Sequence, residues 1–93
     1  MMKYDISRTK IFRKQYKLLE KRGYDMELLD GIILKLANGE TLHTKHCDHP
    51  LRGDRRGYRD CHIQGDWVLI YKIDKGVLTL ILSETGTHSD ILE

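Results

Sequence analysis

Residues 48–71 run Asp48-His-Pro-Leu-Arg-Gly-Asp-Arg-Arg-Gly-Tyr-Arg-Asp-Cys-His-Ile-Gln-Gly-Asp-Trp-Val-Leu-Ile-Tyr71. The first half is polar, and its glycines and single proline mark it as loop. The second half reads as two strands joined by a tight turn at Gln64-Gly65. The stretch holds two of the five histidines, four arginines and the only tryptophan. An ionisable loop carried on a rigid hairpin is a common way to build a reactive site.

Going outward from this stretch, three strands are expected at about Tyr58–Ile63, Trp67–Ile73 and Val77–Leu82. Asp74-Lys75-Gly76 supplies the second turn, so the three form an antiparallel meander. The last two strands are nearly all apolar, as central strands covered by helices are. Residues 88–92 read as one closing helical turn. Residues 40–56 read as loop, with His49 held extended by Pro50.

Toward the N-terminus, Tyr4 and Ile6 alternate with polar neighbours and predict a short strand. Ser7 or Thr9 caps a helix running to about Arg22, with Phe12, Tyr16 and Leu19 on its apolar face and Leu18 beside them. Gly23 stops it. Asp25 caps a second helix to about Ala37, whose buried face is Met26, Leu29, Ile32, Ile33 and Leu36. Gly31 inside that helix costs about 1 kcal/mol relative to alanine, and close packing is its expected reason. The short link between the helices favours an antiparallel hairpin. The order β-α-α-β-β-β with a short C-terminal helical turn is an α+β fold, expected as one domain over residues 1–93.

Composition narrows the class. Hydrophobic residues make up 40% of the 93, enough for one core and too many for a disordered chain. With no leader-like start and no membrane-length apolar run, the expectation is a cytoplasmic protein. Two cysteines, Cys47 and Cys61, are too few for a disulfide scaffold. The net charge of +2 hides an asymmetry. Residues 1–22 carry eight Lys or Arg against Asp5 and Glu20, whereas residues 83–93 carry only the acids Glu84, Asp90 and Glu93. A basic N-terminal segment suits a polyanion or an acidic partner, or is a solvated helix face.

Strand alternation puts Tyr58, Asp60 and His62 on one face and Arg59, Cys61 and Ile63 on the other. The turn returns Asp66 toward His62, and a carboxylate beside an imidazole fixes its tautomer and favours its charged form. His49 on the preceding loop and His88 after the last strand reach the same end of the meander. Three histidines and two acids rimmed by Arg52, Arg55, Arg56 and Arg59 suit phosphate chemistry. One histidine takes the proton from a ribose 2′-hydroxyl, and another protonates the departing 5′-oxygen. That scheme calls for no metal and no cofactor. The same groups also fit a basic binding surface. Separately, His43, His46, Cys47 and His49 are zinc-compatible types without the usual paired spacing.

Several of these residues fall in motifs. Asp48-His49-Pro50-Leu51-x-Gly53, Gly57-Tyr58-Arg59-Asp60-x-His62, Asp66-Trp67-x-Leu69-Ile70-Tyr71 and Thr85-Gly86-Thr87-His88 resemble the YafQ branch of the RelE/ParE toxin superfamily, the toxin halves of bacterial type II toxin–antitoxin pairs. The motif order holds across roughly residues 48–88, and the N-terminal part matches in pattern only. The resemblance implies two helices packed on an antiparallel sheet. It implies a ribosome-dependent endoribonuclease that cuts mRNA in the A site, leaving a 2′,3′-cyclic phosphate and a 5′-hydroxyl. It carries functional positions onto His49, Asp60, His62, Asp66 and His88, with His49 or His62 as base, His88 as acid and Asp66 orienting His62. It implies an antitoxin partner of the DinJ/RelB kind, with operator DNA bound mainly through that antitoxin.

The chain departs from the family pattern at two places. Glu84 stands where an arginine usually precedes the Thr-Gly-Thr-His motif, and a glutamate there repels a phosphate. Leu92 stands at the usual C-terminal aromatic that contacts RNA. Two alternatives follow: an attenuated or non-catalytic toxin homologue that binds antitoxin as a co-repressor or acts on gyrase like the ParE side of the superfamily, and a zinc-binding module built on residues 43–49.

Overall fold

A computed structural model describes residues 2–92. The alternating N-terminal segment forms β1 (Asp5–Arg8). Thr9 ends it and caps α1 (Lys10–Lys21): its Oγ1 accepts from the Phe12 N–H at 3.0 Å and donates to the Ser83 carbonyl at 2.7 Å. One hydroxyl therefore starts the helix and fastens it to the sheet. Gly23, at φ +84°, takes the left-handed conformation that turns the chain after α1. Asp25 then caps α2 (Met26–Ala37) by accepting from the Glu27 N–H at 3.2 Å. The Tyr16 hydroxyl donates to Asp30 at 2.9 Å and ties the helices together. Burial, with the Asp30 bond second, pushes that phenol up to about 12.

Two expectations about the helices fail. Leu18 is exposed, because only Phe12 and Leu19 of α1 point squarely into the core. Gly31 has no packing reason, since open space surrounds the place where its Cβ would sit.

The remaining elements are β2 (His49–Pro50), β3 (Arg59–Gln64), β4 (Trp67–Asp74), β5 (Thr79–Thr87) and α3 (His88–Leu92). They complete one sheet in the order β1-β5-β4-β3-β2, with β1 parallel to β5 and the other pairs antiparallel. The stretch expected as plain loop contains β2 and two short 3-10 turns, Thr44–His46 and Gly53–Arg55. A two-residue edge strand tolerates Pro50, which has no N–H to offer. The third meander strand begins later than expected. Asp74 accepts from the Gly76 and Val77 amides and holds Val77 and Leu78 in the turn. It also ends later, so Thr85-Gly86-Thr87 is strand and His88 opens α3.

β4 is buried on both faces. Trp67, Leu69 and Tyr71 join Phe12, Leu29 and Ile33 in the main core under the helices. Val68 and Ile70 face the other way, into a smaller cluster with Ile91, half-buried Leu51, Tyr58 and Leu92 around them. The register between β4 and β5 shifts at one point: Tyr71 pairs with Leu82, but Ile70 pairs with Glu84. Ser83 is the extra residue of a bulge. Simple alternation would keep Glu84 on the helix-covered face with Leu82. The bulge turns it to the opposite face, beside Ile70.

Candidate active site

The face of the sheet away from α1 and α2 carries Asp60, His62, Val68, Ile70, Glu84 and Gly86. Cross-strand register makes one row of His49, Asp60, Ile70 and Glu84, and the next row of His62, Val68 and Gly86. His88 follows at the start of α3, where its N–H donates to the Asp66 carbonyl at 2.6 Å. Strand pairing thus brings residues from four separate segments to one end of the sheet.

Asp60 lies at the centre. It is 1% exposed, and its Oδ1 is buried without a hydrogen-bond partner among the described residues. Its Oδ2 faces the His49 Nε2 at 3.6 Å. Burial raises the Asp60 carboxyl above its ordinary range, and the positive potentials of His49, His62 and His88 pull the other way.

Two of the three histidines have their tautomer set by the backbone. The His49 Nδ1 lies 2.6 Å from the Cys47 carbonyl, and the His62 Nδ1 lies 3.2 Å from the Gly65 carbonyl. A carbonyl only accepts, so each Nδ1 carries the proton. The neutral ring then keeps its lone pair on Nε2, the form a general base needs. The His62 and His88 rings are 6.2 Å apart, centroid to centroid, and tilted by 35°. Asp66 was expected to orient His62 through its carboxylate. Instead the Gly65 carbonyl does so, and Asp66 touches the cluster through its own carbonyl to His88. The reason is that Gly65 and Asp66 both sit in the turn between the paired Gln64 and Trp67.

The expected arginine rim divides. Arg52 and Arg56 are exposed. Arg55 donates to the Glu84 carboxylate at 2.7 Å and to the Ile91 carbonyl at 2.9 Å. Glu84 therefore does not present a bare negative charge to the site. Arg59 is a correction: its side chain lies on the helix-covered side, where Asp48 accepts from it at 3.1 Å and from the Tyr71 hydroxyl at 2.7 Å. Burial works against the Arg59 charge, but the bonds to Asp48 and Tyr71 outweigh it and raise the guanidinium further. Leu92 packs half-buried on the smaller apolar cluster.

Lys72 was missed. It shares the Val68 and Ile70 face of β4, and its Nζ sits 5.5 Å from the centre of the Tyr58 ring. Two-residue alternation from Ile70 was the signal that could have found it. Cys61 is buried, and burial holds its thiol far above the reactive range.

The zinc constellation does not assemble. His43 Nδ1 accepts from the Lys45 N–H, His46 Nδ1 bonds the His62 carbonyl at 2.7 Å, and Cys47 Sγ turns to the Lys45 carbonyl. Backbone partners, two of them local and one on β3, hold these groups apart. Among the described residues, no three His, Cys, Asp or Glu side chains converge to hold a metal ion. No described helix is long and apolar enough to cross a membrane.

Residues 4–93 match the family described as the bacterial toxin of type II toxin–antitoxin system, YafQ. The Escherichia coli K12 protein named mRNA interferase toxin YafQ is 39% identical over 90 residues, covering 96% of each chain. The toxin-like chain in the crystal structure of the E. coli DinJ-YafQ complex superposes with a TM-score of 0.88 at 37% identity, covering 97% of this chain and 99% of that one. A metal-bound toxin from Helicobacter pylori superposes with a TM-score of 0.89 at 38% identity, covering 98% of this chain and 99% of that one.

Proposed function

The chain belongs to the YafQ toxin family of type II toxin–antitoxin systems, and from that premise we propose that it is a ribosome-dependent endoribonuclease that cuts mRNA in the A site. The observation that carries this reading is the convergence of His49, His62 and His88 around buried Asp60, with Nδ1 protonated on two of the rings. The His62 Nε2 takes the proton from the ribose 2′-hydroxyl. The 2′-oxygen bonds to phosphorus, the bond from phosphorus to the 5′-oxygen breaks, and His88 in its protonated form gives that oxygen its proton. The products are a 2′,3′-cyclic phosphate and a 5′-hydroxyl. His49, facing Asp60, stabilises in its protonated form the negative charge that builds on the phosphoryl oxygens. The scheme uses no metal, and cleavage that stops in EDTA and returns with zinc or copper would overturn that part of it.

The partner under this reading is an antitoxin of the DinJ kind, as in the E. coli complex, with operator DNA bound mainly through the antitoxin. The toxin works in the cytoplasm, where its ribosome and mRNA are. The test is inducible expression in a bacterial host with primer extension on a reporter mRNA. Growth arrest with in-frame cuts is expected, and His88→Ala removes both while the protein stays folded. Cuts that survive His49→Ala, His62→Ala and His88→Ala together would sink the proposal.

A second reading, an attenuated toxin kept for antitoxin binding, is favoured by one feature: Glu84 stands on the catalytic face and occupies Arg55, which is then not free for a phosphate. It predicts that only Glu84→Arg cuts mRNA.

A further inference from the structure

β2 pairs with Arg59 and Asp60 alone, so β3 from Cys61 onward has no strand on its outer edge. The 3-10 turn at Thr44–His46 and the outer side of α2 approach that edge without closing on it. Between them runs an open groove of about 550 Å3, with Leu28, Gly31, Ile32 and Lys35 of α2 on one wall and Lys45 and His62 across from them.

Gly31 is the telling residue. It sits in the middle of α2, where glycine weakens a helix. Apart from its chain neighbours and the backbone of its own helix, nothing comes within 4 Å of the place its Cβ would occupy, and its backbone is not left-handed. The fold has no use for the missing side chain, but the groove does. A larger residue would fill the space over the floor. Leu28, one turn earlier, is among the exposed large hydrophobics and continues that floor. The charge on the walls favours an anion: Lys35 and Lys45 line the groove against Glu27 alone. The groove also borders the strand that carries the catalytic cluster, because His62 is among its lining residues. His46 braces that junction through its ring to the His62 carbonyl at 2.7 Å.

We propose that this groove receives one unpaired nucleotide of the RNA strand, adjacent to the phosphodiester that is cut. The base lies on the apolar floor above Gly31, and the flanking phosphates meet Lys35 and Lys45. The volume falls within the range of pockets that take a ligand of nucleotide size. Stacking an unpaired base on an apolar surface between cations is a general mode of single-strand recognition. The inference rests on the ribonuclease reading for its placement beside the scissile bond, and it makes this groove a determinant of which sequences are cut.

The test uses the full chain and a 2′-O-methylated single-stranded hexaribonucleotide, which binds without being cleaved. Gly31→Ala, Gly31→Leu and Lys35→Glu with Lys45→Glu are compared with wild type. Gly31→Ala is expected to raise Tm by about 4 °C or more, because the helix gains where the fold loses nothing. Gly31→Leu and the lysine pair are expected to weaken hexanucleotide binding roughly tenfold or more. On ribosomes they should raise KM more than they lower kcat, and change the nucleotides found beside the cut.

Unchanged oligonucleotide affinity and unchanged cut sites in a folded Gly31→Leu protein would overturn the proposal. So would loss of antitoxin co-purification with RNA binding intact, which would make the groove a peptide site. If wild type cuts mRNA and Gly31→Leu is silent, the groove inference fails while the ribonuclease reading stands. If wild type never cuts but binds the hexanucleotide in a Gly31-dependent way, the ribonuclease reading fails and the groove remains an RNA site.

Discussion

Asp60 carries a buried carboxyl that burial raises above its ordinary range. The folded protein therefore holds that proton more tightly than the unfolded chain. Between the unfolded and the folded pKa the native state binds more protons, so this group's contribution to stability falls as pH rises through that window. Above the window the ionised carboxylate is a standing cost. Asp60→Asn is expected to raise Tm by several degrees at about pH 8 and to leave it unchanged below about pH 3, where both states are protonated. The same substitution is expected to slow mRNA cleavage at least about tenfold, since His49 loses the charge that faces it. Thermal scans at the two pH values and a cleavage assay check both halves. A protein equally stable with either residue at pH 8 would refute the buried-charge account. At this scale the shared face of Asp60 and His62 was legible, because strand alternation fixes faces. The partner of His62 was not, since a carbonyl in a turn leaves no mark in the side-chain order.

The elements are held by a few bonds that cross between them. The Trp67 indole donates to Thr85 Oγ1 at 3.0 Å, and Thr85 in turn donates to the Val68 carbonyl at 2.9 Å. Both side chains are buried. Thr85→Val leaves the indole N–H without its acceptor and is expected to cost about 1–3 kcal/mol, read by denaturant unfolding. A change under about 0.5 kcal/mol would mean that the indole finds another partner. Arg55 does a different task. From the 3-10 turn after β2 it reaches Glu84 on β5 and the Ile91 carbonyl on α3, so one side chain joins the segments that carry His49 and His88. Arg55→Ala is expected to speed amide hydrogen exchange in residues 88–92 while the Trp67 and Leu69 amides stay protected. Equal loosening of the whole sheet would contradict a local clamp. The Arg55–Glu84 pair was invisible in the sequence. It depends on the bulge at Ser83, and a register shift cannot be read from one strand without its partner.

Over the whole molecule, the basic residues of the N-terminal helix form an exposed set. α1 turns Arg13, Lys14, Lys17 and Lys21 to solvent. If this face meets RNA on the ribosome, Lys14→Ala with Lys17→Ala should reduce the slope of log affinity against log salt by about 2, without changing Tm. An unchanged slope would exclude these lysines from phosphate contact. The sequence by itself determined the two capped helices, the apolar β-meander and the family motifs, because capping, hydrophobic period and turn chemistry act over a few residues. Only the tertiary structure decided that β1 lies parallel beside β5, that His49–Pro50 adds an edge strand, and that Arg59 leaves the rim for Asp48. It also decided that Gly31 opens a groove and packs against nothing. These features depend on which strand finds which neighbour and in what register, and that is settled by burial across segments far apart in the chain.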